Sequence, residues 1–153
     1  MKRVIALSGL KQCGKWNLAY KWSTNENVSF IEPYTDNPDN DECIQLNTKD
    51  LLSKMDREPY LFNTNIDGFD YVCFNSQLDS DFNIVIVDDD ALIQLLKNYE
   101  NVTTIWVDNP KAEPSTRVGK FKQTAYDYIF NYGIGDPDEF LEQLAFDLEM
   151  VQG

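Results

Sequence analysis

Residues 4–16, Val4-Ile5-Ala6-Leu7-Ser8-Gly9-Leu10-Lys11-Gln12-Cys13-Gly14-Lys15-Trp16, carry the clearest chemical pattern in the chain. An apolar run that reads as a buried first strand leads into Gly9, four further residues, Gly14 and Lys15. That is the spacing of a phosphate-binding loop opening a helix. Glycines let backbone N–H groups turn inward around phosphate oxygens, and the lysine sets a cation against them. Gly9, Leu10, Lys11, Gln12, Cys13, Gly14, Lys15 and Trp16 are therefore the expected phosphate-binding residues, with Lys15 the catalytic cation if phosphoryl transfer occurs. The next position normally carries a hydroxyl that holds Mg²⁺ across two phosphates. Here it is Trp16, which has one N–H donor and no oxygen ligand. Phosphate binding is expected; a metal ligand set is not.

Other reactive groups are few. The chain has no histidine, which removes imidazole bases, Ser-His-Asp and Cys-His nucleophiles and histidine metal sites together. Cys13, Cys43 and Cys73 form no C-x-x-C pair and read as reduced thiols. Cys13, beside Lys15 and a helix N-terminus, could have a lowered pKa; the simpler reading is a small residue that fits the loop. Asp88-Asp89-Asp90 follows the apolar run Ile84–Val87, and an acidic residue at the carboxyl end of a central strand could hold a metal-bound water or a base edge. Alternatively Asp88 or Asp89 caps the helix that follows. The acidic stretch from Glu32 to Glu42 lacks the glycine and spaced glutamate of an EF-hand loop.

The elements that must position these groups alternate along the chain. Trp16–Ser23 reads as the helix fed by the loop, and Val28–Ile31 as a short strand. Glu32–Glu42, with Pro33 and Pro38, reads as loop. Asn47 offers a cap before a short amphipathic helix that ends at Pro59. Tyr60–Ile66 and Phe69–Phe74 flank Asp67-Gly68 as a β-hairpin. Residues 84–87 and 102–107 read as buried strands, Ala91–Asn98 as a helix, Tyr126–Phe130 as the last strand, and Pro137 opens a closing amphipathic helix. Residues 111–124 hold Lys111, Arg117, Lys120 and Lys122 and read either as a short lid over phosphates or as a solvated helix.

With 153 residues, one domain over 1–153 is expected. The apolar and aromatic content argues against disorder, no run approaches a membrane span, and Met1-Lys2-Arg3 leads directly into strand, which leaves no room for a signal peptide. A cytoplasmic protein is expected. The net charge of −13 argues against direct binding of nucleic acid or anionic lipid, and would attract a basic partner. It also serves simply to keep the protein soluble.

The order of elements, with the matches Gly9-x4-Gly14-Lys15, Thr35-x-x-Pro38-x-x-x-Glu42, Gly68-x-x-Tyr71 and Ala125-Tyr126-Asp127-Tyr128-Ile129-Phe130-Asn131, resembles the guanylate kinase family. The resemblance implies an α/β P-loop three-layer sandwich: a five-stranded parallel sheet, a small antiparallel hairpin insert, an NMP-binding region equivalent to 33–80 and a short lid-like segment at 111–124. It places Tyr71, Asp89 and Glu32 at a nucleoside monophosphate site and Arg117, with Lys120 or Lys122, in the lid. ATP and Mg²⁺ are the implied cofactors if the chain is active. Several positions depart from the family. Asp36 and Asp39 stand where two arginines grip the monophosphate, Phe62 where a glutamate reads guanine, Glu32 where a serine precedes the arginines, and Val72-Cys73 where Gly-Ser or Gly-Thr follows the tyrosine.

Three functions follow as expectations. The first is a guanylate kinase-like pseudo-enzyme, needing no cofactor, that acts as an acidic module for a basic protein partner. The second is a working kinase that transfers the ATP γ-phosphate to a (deoxy)nucleoside monophosphate. The third is a viral nucleic-acid mimic that inhibits a host enzyme in the host cytoplasm.

Overall fold

The computed structural model describes residues 2–112, 125–132 and 134–148. Apolar runs alternating with amphipathic segments build a five-stranded, all-parallel sheet. Its strands are β1 (Arg3–Ser8), β2 (Val28–Phe30), β7 (Phe82–Ile86), β8 (Val102–Asp108) and β9 (Tyr128–Asn131), in the order β2-β7-β1-β8-β9. β1 lies at the centre, with Val4 to Leu7 almost entirely buried. A strand covered on both faces must be apolar at successive residues, which is why these segments run hydrophobic instead of alternating.

Alternation instead sorts residues between two cores. Ile5 and Leu7 point to one face, packed with Leu18, Ala19 and Trp22 of α1 (Lys15–Trp22) and Leu144 of α4 (Pro137–Asp147). Val4 and Ala6 point to the other, packed with Ala91, Leu92 and Leu95 of α3 (Asp89–Asn98). The result is a three-layer sandwich. α3 and α4 start where the sequence provides a cap: Asp88 accepts from the Ala91 N–H at 2.8 Å, and Asp136 from the Asp138 N–H at 2.8 Å with Pro137 next in the chain.

The insert is larger than the expected hairpin. β5 (Tyr60–Ile66) and β6 (Phe69–Phe74) pair antiparallel through a turn in which Asp67 (φ 54°) and Gly68 (φ 88°) both adopt the left-handed conformation of a tight hairpin. Two further strands widen it. β3 (Tyr34–Thr35) pairs antiparallel with β6, and β4 (Ile44–Gln45) parallel with β3, giving a four-stranded mixed sheet where the sequence reads as loop. α2 (Thr48–Arg57), capped by Asn47 through the Asp50 N–H at 2.8 Å, covers this sheet. Leu51, Val72 and Phe74 form a small core of their own there, with Tyr34 and Tyr60 edge-on to Phe74. The Gln94 side chain of α3 then ties the insert to the main body. Its Nε2 donates to the Asn63 carbonyl at 2.7 Å and its Oε1 accepts from the Asn63 N–H at 2.9 Å.

Asp36 holds the insert together. Its two oxygens accept from the Asp70 N–H and the Thr48 hydroxyl, each at 2.9 Å, so it links β3, β6 and α2. Removing a hydrogen-bonded carboxylate leaves a part-buried N–H without its acceptor. Asp36→Ala is expected to lower stability by about 1–3 kcal/mol in urea unfolding, with faster hydrogen exchange at the Asp70 amide. An unchanged midpoint and unchanged exchange would remove that role.

Candidate functional site

The loop after β1 is shaped by close approach. A Cβ on Gly9 would lie 2.5 Å from the Cys13 sulfur and 2.6 Å from the Val107 carbonyl oxygen, so only glycine lets the chain turn there. Gln12 (φ 63°) and Gly14 (φ 98°) continue the turn in the left-handed region, and a Cβ on Gly14 would strike the Tyr132 ring at 2.6 Å. Neighbouring elements anchor the outcome. Asn109 Nδ2 donates to the Cys13 carbonyl and the Tyr132 hydroxyl to the Gly14 carbonyl, both at 3.3 Å. The Lys15 ammonium donates to the carbonyls of Gly9 (2.9 Å) and Leu10 (3.3 Å), closing the loop on itself and placing the cation at its mouth. The first amides of α1 lack acceptors within the helix, so they present partial positive charge at the same place.

Cys13 is buried beneath this loop in the α1-side core. Burial pushes its thiol above the usual range, and the nearby Lys15 charge offsets that only in part. The simpler reading of Cys13, a small residue that fits the loop, is the one its surroundings support. Trp16 packs edge-on to Phe30 at 5.3 Å and tilted to Tyr20 at 6.3 Å, in an aromatic group beside the loop. Its indole stands where the full motif has a metal-binding hydroxyl. Among the described residues, no group of three or more His, Cys, Asp or Glu side chains is placed to hold a metal ion.

A cleft of about 970 Å³ opens between this loop and the insert. Gly9, Lys11, Gln12, Lys15 and Trp16 line one end; Ile86, Val87, Asp88 and Ala91, at the carboxyl edge of the sheet, line its floor. Phe62, Thr64, Ile66 and Tyr71 of the insert form the far wall, and Pro33, Asn40, Glu42 and Cys43 the side. Along β5, residues 62, 64 and 66 share one face because strand side chains alternate. Tyr71 is held by the 33–43 segment: its hydroxyl accepts from Asn37 Nδ2 at 3.0 Å and from Asn40 Nδ2 at 3.4 Å.

The structure gathers some of the sequence-derived site residues and separates others. Gly9, Lys11, Gln12, Lys15, Trp16 and Tyr71 line the cleft, whereas Leu10, Cys13 and Gly14 belong to the same loop but not to that lining. Asp88, not Asp89, is the aspartate of the triplet that lines it, and it also caps α3. Asp89 is buried on the first turn of α3 near Tyr126; burial pushes that phenol up, the Ser8 hydroxyl opposes this in part, and Asp89 adds a smaller upward push. Glu32 lines a different pocket, of about 390 Å³, with Tyr20, Phe30 and Asp79. Asp36 is turned into the insert and Asp39 is exposed, neither lining the cleft. Arg117, Lys120 and Lys122 lie outside the described residues, as does all of the lid-like segment except Lys111 and Ala112.

Glu42, Asn40, Cys43 and Thr64 join the site without having been assigned to it from sequence. Glu42 ends the matched Thr35-x-x-Pro38-x-x-x-Glu42 stretch, and Thr64 shares the strand face of Phe62; those were the available signals.

The parallel sheet, the loop after its central strand and the cleft at its carboxyl edge define a kinase-like α/β fold. Among solved structures, the chain is similar to the guanylate kinase of Anaplasma phagocytophilum, with 14% identity, a TM-score of 0.65 and coverage of 99% of this chain and 86% of that one. It is also similar to a sugar kinase of Janibacter sp. HTCC2649, with 12% identity, a TM-score of 0.51 and coverage of 99% and 96%. No protein-family model and no curated protein matches the sequence. At these identities the likeness shows the fold.

The thiols give a direct check on this geometry. Cys13, Cys43 and Cys73 are all buried, and burial with the charges of Glu32 and Glu42 pushes Cys43 up to about 11. At pH 8 only about one Cys43 in a thousand is then thiolate, so native protein is expected to react with Ellman's reagent far more slowly than free cysteine, and fully once unfolded. A thiol in the native protein that reacts at the rate of free cysteine would contradict the packing around it.

Proposed function

We infer that the chain is a guanylate kinase-like pseudo-enzyme: a kinase-like scaffold whose loop holds phosphate weakly or not at all, does not carry out metal-assisted transfer, and serves as an acidic binding module for a basic protein partner. The observation that carries the reading is Trp16. An indole packed on Phe30 cannot supply an oxygen to Mg²⁺, and the carboxylates left among the described cleft residues are Asp88, which also caps α3, and Glu42 at the opposite side. This donor set does not fit a Mg²⁺ bridging two phosphates on the loop, so no transfer step is assigned through it.

Charge supports the second half of the reading. Asp39, Asp41 and Glu42 lie exposed together, and the net charge of −13 would draw a basic surface toward them. A second reading, an active kinase, is favoured by one observation: Lys15 and Asp88 line the same cleft, in a fold similar to a guanylate kinase and a sugar kinase. In that case the arginine that stabilises the transferring phosphoryl group would have to come from Arg117.

A coupled assay for ATP-dependent phosphorylation of GMP, dGMP, AMP and dTMP in the presence of Mg²⁺ separates the two. No turnover above a protein-free blank is expected, and Trp16→Thr is expected to introduce Mg²⁺-dependent ATP binding where the parent has none. Turnover by the parent protein that disappears in Lys15→Ala would establish the kinase reading instead.

A further inference from the structure

We propose that the basic partner docks on the outer edge of β2: an extended peptide segment adds to Val28–Phe30 as a further strand, and cationic side chains on two adjacent residues of that segment reach Glu32 on one face of the sheet and Asp79 on the other. The inference rests on the reading of the chain as a module for a basic protein, and adds the surface and the form of the segment it takes.

The register of β2 decides which of its backbone groups are committed. β2 ends the parallel sheet, with β7 as its neighbour. The Asn27 carbonyl accepts from the Phe82 N–H at 3.0 Å, and the Ile31 N–H donates to the Ile84 carbonyl at 2.8 Å. Successive residues of a strand turn their N–H and C=O to opposite sides, so Asn27, Ser29 and Ile31 face β7 while Val28 and Phe30 face outward. The Val28 N–H turns back to the Asn25 carbonyl at 3.3 Å. The Val28 carbonyl and both backbone groups of Phe30 have no partner among the described residues. A peptide strand laid along this edge pairs with all three.

The pocket of about 390 Å³ wraps the same edge, with Tyr20 of α1 on one side, Asp79 on the other and residues 28–32 between them. Phe30 packs in the α1-side core and Ile31 in the opposite one, so alternation carries Glu32 to the α1 face, beside Tyr20. Burial, then the charges of Glu32 and Glu42, push the Tyr20 phenol up, in agreement with that placement. Tyr20 is 45% exposed and edge-on to Phe30 at 5.0 Å, which leaves an aromatic surface where a guanidinium can stack while it binds Glu32. On the opposite face the hydroxyls of Ser29 and Ser80 are hydrogen-bonded, and Asp79 directly precedes Ser80.

Charge selects the occupant. Among the described residues the ion pairs are Lys21–Asp138 and Lys54–Glu58, so the Glu32 and Asp79 carboxylates have no cation of their own. A second copy of this chain, with its net charge of −13, would be repelled from the edge. Neighbouring residues of an incoming strand point to opposite faces, so two adjacent cations meet Glu32 and Asp79 together.

Titration of the full chain with the peptide acetyl-Val-Arg-Arg-Val-Arg-Arg-Val-amide, followed by backbone amide NMR at about 0.15 M salt, tests the proposal. The peptide is expected to bind and to slow hydrogen exchange at the Phe30 amide about tenfold or more at saturation. The same peptide with its valines in the D configuration, equal in charge but unable to form a regular strand, should bind about fivefold or more weakly. Glu32→Gln with Asp79→Asn should weaken binding about fivefold, whereas Asp39→Asn with Asp41→Asn, the same change in charge, should alter it by no more than about twofold. Binding that leaves Phe30 exchange unchanged, or that is lost in the Asp39/Asp41 variant and kept in the Glu32/Asp79 variant, overturns the docking edge and leaves the basic-partner reading standing. Absence of binding by the all-L peptide also overturns the docking edge. Mg²⁺-dependent phosphorylation of a monophosphate in the coupled assay removes the pseudo-enzyme reading without changing what is measured at Phe30.

Discussion

The carboxyl edge of the sheet is governed by one close approach. Gly9 sits against the Cys13 sulfur and the Val107 carbonyl with no space for a Cβ, so the chain leaving β1 must fold over the end of β8 and come back as α1. Gly14 repeats the constraint against Tyr132, and the Lys15 ammonium seals the turn by binding the carbonyls of Gly9 and Leu10. The cost of holding Gln12 at positive φ is offset by anchoring from Asn109 and Tyr132. What results is a rigid cationic rim, built by packing, that exists whether or not chemistry follows. On the pseudo-enzyme reading proposed above, the phosphate-loop shape and the capacity for phosphoryl transfer are separable, and they part at Trp16. The Trp16 indole packs on Phe30 and Tyr20 at the loop end of the cleft and carries no oxygen for a metal.

The opposite side of the cleft obeys a different constraint. The insert carries its own core around Phe74, and Gln94 of α3 ties β5 to the main body through both backbone groups of Asn63. The carboxylates of the 32–42 segment are then divided by geometry. Asp36 serves the insert, Glu32 faces a separate pocket, and Glu42 reaches the cleft. Among the described residues, electrostatic character along the cleft thus runs from cationic at the loop to neutral and acidic at the insert.

Much of the architecture was legible because its signals are local. The runs Val4–Leu7 and Ile84–Val87 are apolar at successive residues since both faces are covered, Val102–Val107 is so except for the buried Thr103 and Thr104, and Asp67-Gly68, Asn47 and Asp136-Pro137 mark a turn and caps within a few residues. β3 and β4 were not legible. Each is two residues long, is preceded or followed closely by proline or acidic residues, and owes its strand conformation to partners elsewhere, Thr35 to Tyr71 and Tyr34 to Ile44. The same distance effect hid the role of Asp36, whose partner is the Asp70 amide. In the Asp88-Asp89-Asp90 triplet the residue type could not discriminate. The start of α3 does so, giving the cap and cleft position to Asp88 and the buried position to Asp89.

On the reading proposed above, the loop is uncoupled from metal. Titration calorimetry with ADP and ATP, with and without Mg²⁺ and beside Lys15→Ala, tests it most directly. Small heats are expected, abolished in Lys15→Ala where they are measurable, with affinities that Mg²⁺ changes by no more than about twofold. Tightening by about tenfold or more on adding Mg²⁺ would contradict it, because an oxygen ligand would then have to exist where Trp16 supplies none.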